Sequence, residues 1–242
     1  MSHLSRLRRP AGLIGLGAAV TLAAGLGLTV DPASFFATDR SATVCGPEAG
    51  GTVCVFENAP ARLGPEPVRV ADKPHDYYPL LTEIRFVDAD GLAWTAPRDT
   101  LTDGASIPDL FLPLFGDRRS VEFLSAAALH DAYCGAGNAH LATFHARGWE
   151  DTHRMLYDSL LANGTPETKA KIMFAAVYLG GPRWDDPTRA LDGVSEADLL
   201  REMIWCIWFI ETKDPSRAEI EAWMKAREPA LLAGEPLTPT AV

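Results

Sequence analysis

The chain has 242 residues, a net charge of −10, 47% hydrophobic residues and 22% charged residues. This is the composition of a globular protein, and the length allows one sizeable core. The negative charge argues against nucleic acid as a partner, because phosphate binding requires clustered lysine and arginine.

The N-terminal segment is typical of an export signal. Arg6, Arg8 and Arg9 precede an uncharged run from Pro10 to Val30. A basic start followed by an apolar run of about 20 residues indicates export and is long enough to span a bilayer. We therefore interpret residues 1–30 as a signal peptide or an N-terminal membrane anchor. The rest of the chain is then secreted or held at the periplasmic face of the inner membrane, with the membrane as a partner through this segment.

Residues 31–79 are rich in proline and glycine and show no sustained periodicity, so we interpret them as a linker with a short strand at Thr52–Phe56. Four cysteines fit an exported protein that can form disulfides. Cys45 and Cys54 are close enough in sequence to close a small loop, whereas Cys134 and Cys206 could pair or stay free.

A mainly α fold with one small β-hairpin is predicted for the remainder. Apolar and polar residues alternate on both sides of Asp90-Gly91, which is a hairpin signal. From residue 119 onward the period is helical and predicts five helices, of which Ser195 and Ser216 open the last two with capping boxes. We expect a core domain at residues 80–184, a helical extension at 185–228 and a disordered tail at 229–242.

Three segments carry residues that could do chemistry. His130-Asp131 ends an apolar helix, where burying two ionisable groups is costly unless they have partners. Asp151 lies 21 residues further on, near the start of the next helix, so an antiparallel return could bring its carboxylate to the imidazole. Asp103 lies in a turn rich in glycine and proline, from which its carboxylate could face a ligand.

Each of these residues also has a structural interpretation. Asp103 could cap a helix through an Asx turn, His130 could be a satisfied core histidine, and Asp151 could only complement a helix dipole. His153 is two residues from Asp151 and is expected to point elsewhere on the helix. A zinc site built from His130, Asp131, Asp151 and His153 is a less favoured alternative.

The order of these motifs resembles two families. Thr-Asp-Gly-Ala-Ser-Ile-Pro at 102–108, His-Asp-Ala-Tyr at 130–133 and Ala-Val-x-x-Gly at 176–180 resemble a domain of unknown function that is widespread in bacteria and their phages. The same order is similar to the secreted phospholipases A2 of bacteria and fungi. Those enzymes join their calcium loop to the histidine helix with a disulfide, and here Ala105 and Ala127 stand at both matching positions.

The second resemblance implies a phospholipase A2-like antiparallel helix pair that carries the site. His130 would be the general base that activates water, and Asp151 would orient it. Asp103, Gly104 and Asp131 would bind Ca²⁺, which prefers hard oxygen ligands. The implied activity is calcium-dependent hydrolysis of a phospholipid or another ester at the cell envelope.

Two other functions stay open at this stage. One is a different metal-dependent hydrolase, of phosphoesters or cell-wall amides, that uses the same residues. The other is a non-enzymatic envelope or phage-related structural protein, in which Asp103, His130 and Asp151 form a buried polar network that fixes the fold.

Overall fold

The computed structural model describes residues 40–45, 53–104, 111, 117 and 119–235. The predicted export segment at residues 1–30 lies outside these ranges, as do Ala105 and the last residues of the predicted tail, 236–242. The described residues belong to one unit of the chain by their mutual contacts.

Within the described residues, short strands form two antiparallel sheets. The first has the order β1-β2-β5-β6, and the second has the order β3-β4-β7. The predicted hairpin is β5–β6, in which Val87 pairs with Ala93 across the Asp90-Gly91 turn. The strands are β1 Arg40–Val44, β2 Val53–Glu57, β3 Val68–Arg69, β4 Asp76–Pro79, β5 Ile84–Val87, β6 Ala93–Ala96 and β7 Leu101–Thr102.

Five α-helices follow in the described range 119–235, as the sequence period predicts. They are α1 Leu124–Cys134, α2 Trp149–Ala162, α3 Glu167–Gly180, α4 Glu196–Lys213 and α5 Arg217–Ala233, with a 3₁₀ turn at Pro187–Arg189. Ser195 and Ser216 cap α4 and α5, each accepting a hydrogen bond from the backbone N–H three residues on. Within the described part of the chain, no helix is both long enough and apolar enough to cross a bilayer.

Helix α1 lies between the strands and the other helices. Ten of its eleven residues are buried, because it packs on β5, β6 and β7 on one side and on α2 on the other. Its alanines at 126, 127, 128 and 132 let both neighbours approach closely. One apolar core lies between the four-stranded sheet and α1–α2, and a second joins α2, α3, α4 and α5.

The predicted fold class was wrong. The protein is a mixed α and β structure, not a mainly α phospholipase A2-like helix pair. The region interpreted as a linker contains β1 to β4, and the disulfide Cys45–Cys54 joins the end of β1 to β2. Strand β2 corresponds to the strand predicted at Thr52–Phe56. The other three are two to five residues long, too short for a clear alternation signal, and they depend on pairing with other strands.

Helix α5 extends further than expected. The disordered tail was predicted from residue 229, but α5 continues through Pro229 to Ala233. A proline inside a helix loses one backbone hydrogen bond. Ion pairs from Arg183 and Arg189 to Glu228, together with the burial of Leu231, stabilise this last turn.

Candidate functional site

The C-terminal turn of α1 brings an imidazole and a thiol together. His130 and Cys134 are four residues apart and therefore share one face of the helix. The Cys134 Sγ lies 3.6 Å from Nδ1 and 3.5 Å from Nε2 of His130. It also lies 3.5 Å from the His130 carbonyl oxygen, which is an alternative acceptor for the thiol proton. Cys134 is a free cysteine and is only partly buried.

A second imidazole from α2 meets the first. The Nε2 of His130 lies 2.9 Å from Nδ1 of His153, and the ring centroids are 5.1 Å apart. His130 is 3% exposed and His153 is fully buried. The pair therefore joins α1 to α2 through one hydrogen bond in the interior, where such a bond is strong and its loss is costly.

The inner nitrogen of His153 faces the end of α3. A Cβ on Gly181 would lie 2.4 Å from the Val177 carbonyl oxygen and 3.1 Å from Nε2 of His153, so the clash with the backbone oxygen requires glycine here. The backbone of Pro182 acts on the His153 ring and opposes part of the lowering of its pKa. Because proline has no backbone N–H, the group that acts is the Pro182 carbonyl. Among the described residues, none makes a hydrogen bond of good geometry with this nitrogen.

The three side chains are electrically neutral at rest. Burial lowers the pKa of His130 to about 3. Burial also lowers the pKa of His153 well below its usual value, and the charges of His130 and Arg183 add to this effect. Burial, and then the nearby Asp131 carboxylate, raise the pKa of the Cys134 thiol well above its usual value.

These partners assign one consistent direction to the protons. We assign Nε2–H of His130 as the donor to Nδ1 of His153, which leaves Nδ1 of His130 as an acceptor for the Cys134 thiol beside the alternative acceptor, the His130 carbonyl. We call this set the Cys134–His130–His153 chain. Cys134 is its outer end, because the two histidines are buried.

Asn138 connects this chain to the Asp103 turn. Its Nδ2 donates to the Asp131 carbonyl at 2.9 Å and to the Leu101 carbonyl at 2.8 Å, and its Oδ1 accepts from the Leu101 N–H at 2.8 Å. Asn138 is fully buried. Strand β7, which leads into Asp103, is thereby fixed against the end of α1.

The structure brings together only some of the residues chosen from sequence. Asp131 is buried at the end of α1, and the segment containing Asp103 and Gly104 is joined to it through Asn138. Gly104 has φ +108°, and its N–H donates to Oγ1 of Thr102. Among the residues that the structure describes, no group of three histidine, cysteine or acidic side chains is arranged to hold a metal ion.

Asp151 does not orient His130. Its side chain is exposed and accepts a hydrogen bond from Arg154 Nη1 at 2.8 Å. It lines a surface depression of about 280 Å³ together with Glu150, Asp185 and Asp186. His153 occupies the place beside the His130 imidazole that was predicted for Asp151.

Sequence reasoning missed His153 although a signal was present. Trp149, Leu156 and Leu160 form an apolar series on one face of α2, and position 153 lies on the same face, one helical turn after Trp149. Position 151 lies about 160° away from 149 around the helix, at about 100° per residue, and so faces solvent.

The comparisons with known proteins cover this part of the chain. Residues 78–177 match the family described as "Protein of unknown function (DUF1353)". The resemblance to a domain of unknown function is thereby confirmed, and the matched range includes the whole Cys134–His130–His153 chain. No solved structure gives a significant match.

Two uncharacterized proteins of Sinorhizobium fredii are similar to the chain. One, y4iH, is 42% identical over 105 residues, which are 43% of this chain and 41% of the relative. The other, y4jT, is 34% identical over 129 residues, which are 53% of this chain and 36% of the relative. The match thus spans about two fifths of the length of these relatives.

Proposed function

We propose that the domain hydrolyses carboxylic esters, with Cys134 as the nucleophile, His130 as its general base and His153 as the group that orients His130. The single observation that carries this proposal is the Cys134–His130–His153 chain. A nucleophile next to a base, with the base held by a third group, is the arrangement that activates a thiol or hydroxyl for acyl transfer.

The reaction runs through a thioester. As Sγ of Cys134 attacks the ester carbonyl carbon, the thiol proton passes to Nδ1 of His130. The carbon–oxygen bond to the alcohol breaks, and the departing alcohol takes this proton. Water then attacks the thioester, gives one proton to His130, and releases the carboxylic acid as the proton returns to Sγ.

The second imidazole makes this proton transfer possible in a buried place. His130 becomes a cation when it accepts the thiol proton, and a buried cation without a partner is costly. Nδ1 of His153 lies 2.9 Å from Nε2 of His130. Its lone pair can accept the Nε2–H of His130 and so stabilise that cation. The neutral resting state means that no buried charge exists until the substrate is attacked.

Several observations support ester substrates at the cell envelope. The disulfide Cys45–Cys54 is typical of an oxidising compartment. The apolar run at residues 10–30 would hold the domain next to lipid. The similarity to secreted phospholipases A2 favours phospholipid or another ester as the substrate. The calcium site at Asp103, Gly104 and Asp131 stays a prediction. The mechanism proposed here does not use it, because a thiol nucleophile needs no metal-bound water.

A Cys134→Ala variant is expected to lose ester hydrolysis down to the rate of the buffer, because the group that forms the thioester is gone. The full chain in mild detergent is assayed with p-nitrophenyl esters of increasing acyl length and with phosphatidylcholine vesicles, each with Ca²⁺ or with EDTA. Cys206→Ala is the matched control, because Cys206 is also a free cysteine and is buried on α4, away from His130.

The result expected from the proposal is activity that survives EDTA and Cys206→Ala but not Cys134→Ala. Activity that is lost with EDTA and kept by Cys134→Ala would instead support calcium-dependent activation of water. An absence of hydrolysis for every ester would contradict both schemes.

A non-enzymatic role is the second candidate. The observation that favours it is the complete burial of His153 and near-complete burial of His130, which is also the property of a polar bridge that fixes two helices. In that case the Cys134–His130–His153 chain only joins α1 to α2, and substitutions of these three residues change the stability of the protein without removing an activity.

A further inference from the structure

Helices α2 and α5 face each other through a ladder of ion pairs. Residues of α2 at every fourth position meet residues of α5 at every fourth position in the opposite chain direction, so successive pairs lie about one helical turn apart. The pairs are Glu150–Lys225 at 3.0 Å, Arg154–Glu221 at 2.9 Å and Asp158–Arg217 at 2.8 Å. Along this line, α5 is held on α2 by charged groups.

The two ends of the ladder differ in their surroundings. At one end, Glu150 is paired with Arg189 at 2.6 Å as well as with Lys225 and Arg154. Burial acts against the charge of Glu150, but the hydrogen bonds from Arg189 and Lys225 outweigh it and lower the pKa of this carboxyl to about 2. Glu150 is therefore ionised in neutral and mildly acidic solution.

At the other end, Asp158 lies against the turn of the β5–β6 hairpin and is 3% exposed. Its Oδ2 accepts a hydrogen bond from the Ala89 N–H at 3.3 Å, and its Oδ1 accepts one from Nη1 of Arg217, the first residue of α5. Asp158 thereby joins three elements, which are the hairpin turn, α2 and the start of α5.

A second buried carboxylate approaches Asp158 from the hairpin. Asp88 precedes Ala89 in the turn and is also 3% exposed. Its oxygens accept hydrogen bonds from the Leu92 N–H at 2.8 Å and from Nε1 of Trp94 at 2.6 Å. Asp88 is therefore fixed in place by its own turn, and its charge acts on Asp158.

The charges around Asp158 do not balance when both carboxylates are ionised. Arg217 faces Asp158 from α5 and Asp88 faces it from the hairpin, whereas Arg154 and Glu221, one turn along the ladder, neutralise each other. Among the described side chains at this end, two buried carboxylates thus share one guanidinium. A buried negative charge without compensation is costly, and a proton on Asp158 removes that charge.

Packing therefore changes the affinity of Asp158 for a proton. Burial, and to a smaller extent the charge of Asp88, raise the pKa of Asp158 from 3.8 to about 6, although Arg217 acts in the opposite direction. When water reaches the carboxyl, its pKa returns towards 3.8. Between about pH 4 and pH 6 the packed arrangement holds a proton that the opened arrangement releases, so acidification through this window favours packing.

We propose that Asp158 is a proton-dependent clamp, which holds the β5–β6 turn and the start of α5 on α2 more tightly at mildly acidic pH than at neutral pH. The clamp does not depend on the proposed hydrolase activity. It does act on a neighbouring part of the fold, because Trp94 of the hairpin packs against Tyr133, the residue before Cys134, with ring centroids 4.9 Å apart.

Hydrogen exchange of the full chain in mild detergent, followed by mass spectrometry, tests the clamp locally. After correction for the intrinsic pH dependence of exchange, peptides that cover residues 88–94 are expected to be protected about tenfold more at pH 5 than at pH 7 in the wild type. Asp158→Asn is expected to lose this increase, because an amide does not titrate. Asp90→Asn is the matched control and is expected to keep it, because Asp90 lies in the same turn and is exposed.

Urea unfolding gives a second readout of the same group. As the pH is lowered from 7 to 4, the unfolding equilibrium constant of the wild type relative to that of Asp158→Asn is expected to fall by about 50-fold, which follows from the change in the pKa of Asp158 on folding. The histidines contribute equally to both proteins and cancel in this ratio.

Equal pH dependence of the wild type and Asp158→Asn in either measurement, or protection that decreases from pH 7 to pH 5, would overturn the proposal. Arg217→Met provides the test if the asparagine variant does not fold. It removes the cation that favours ionised Asp158, so the increase in protection is expected to begin at a higher pH than in the wild type. An unchanged pH range in that variant would also overturn the clamp.

Discussion

Replacing His130 by glutamine is expected to lower kcat/KM for ester hydrolysis by about 10²–10⁴-fold, the usual contribution of a positioned general base. Glutamine keeps an amide N–H that can donate to Nδ1 of His153, so the bridge between α1 and α2 is largely retained. It cannot accept and return the thiol proton. The measurement is steady-state kinetics with the ester that the wild type hydrolyses best.

The control for this variant is His140→Gln. His140 is exposed, and its Nδ1 lies 3.1 Å from the Gly137 carbonyl oxygen. The same substitution is therefore made in a histidine that does not belong to the Cys134–His130–His153 chain. Its kinetics are expected to match the wild type. A His130→Gln protein that unfolds at lower denaturant concentration but hydrolyses esters at the wild-type rate would contradict the catalytic role and support the structural one.

The pH profile is a second readout of the same residue. The pKa of His130 is lowered from 6.5 to about 3 by burial, so the base stays unprotonated and the rate is expected to show no loss near pH 6.5. Stability behaves differently, because unfolded histidine binds a proton below pH 6.5 and the folded site does not. The free energy of unfolding therefore falls as the pH drops from 6.5 towards 3.

Replacing Arg227 by alanine is expected to lower the free energy of unfolding by about 3–5 kcal/mol, which is the usual cost of leaving a buried charge without its partner. Glu202 is fully buried and is paired with the guanidinium of Arg227 through Nε and Nη2. The guanidinium also lies 5.1 Å from the Trp205 ring and 4.6 Å from the Trp223 ring, so alanine removes packing as well. The measurement is urea unfolding followed by tryptophan fluorescence.

An exposed ion pair supplies the comparison. Arg85 pairs with Glu83 at the surface, with 60% of its side chain exposed, and Arg85→Ala is expected to change stability by less than about 1 kcal/mol. Replacing both members, as Arg227→Met with Glu202→Leu, is expected to recover much of the lost stability, because no charge is left buried. Equal losses for Arg227→Ala and Arg85→Ala would contradict the importance of burial.

The helices could be predicted from sequence because their signals are local. The apolar period of each helix and the two serine caps lie within or next to the helices that they specify. Most strands outside the β5–β6 hairpin could not be predicted in the same way. Strand β7 has two residues, and its partner β4 is more than twenty residues away in the chain, so its existence depends on the folded neighbours.

The residues of the candidate site likewise differ in how far they could be predicted from sequence. The sequence located the end of α1 and His130, because an ionisable pair at the end of an apolar helix requires a partner. Asp151 was chosen as that partner from its 21-residue spacing and from a family resemblance, whereas the apolar period of α2 indicated position 153. Asn138 carried no comparable signal, since its three bonds to Leu101 and Asp131 exist only after β7 packs on α1.

By itself the sequence determined the five helices, the β5–β6 hairpin and the helix end that holds His130, since each depends on residues close along the chain. Tertiary structure decided that the proline- and glycine-rich segment forms strands. It also decided that Asp151 faces solvent and that Cys134 and His153 meet His130 from its two sides. Such choices depend on which faces of α1, α2 and α3 are buried against one another, and burial is a property of the whole packed chain.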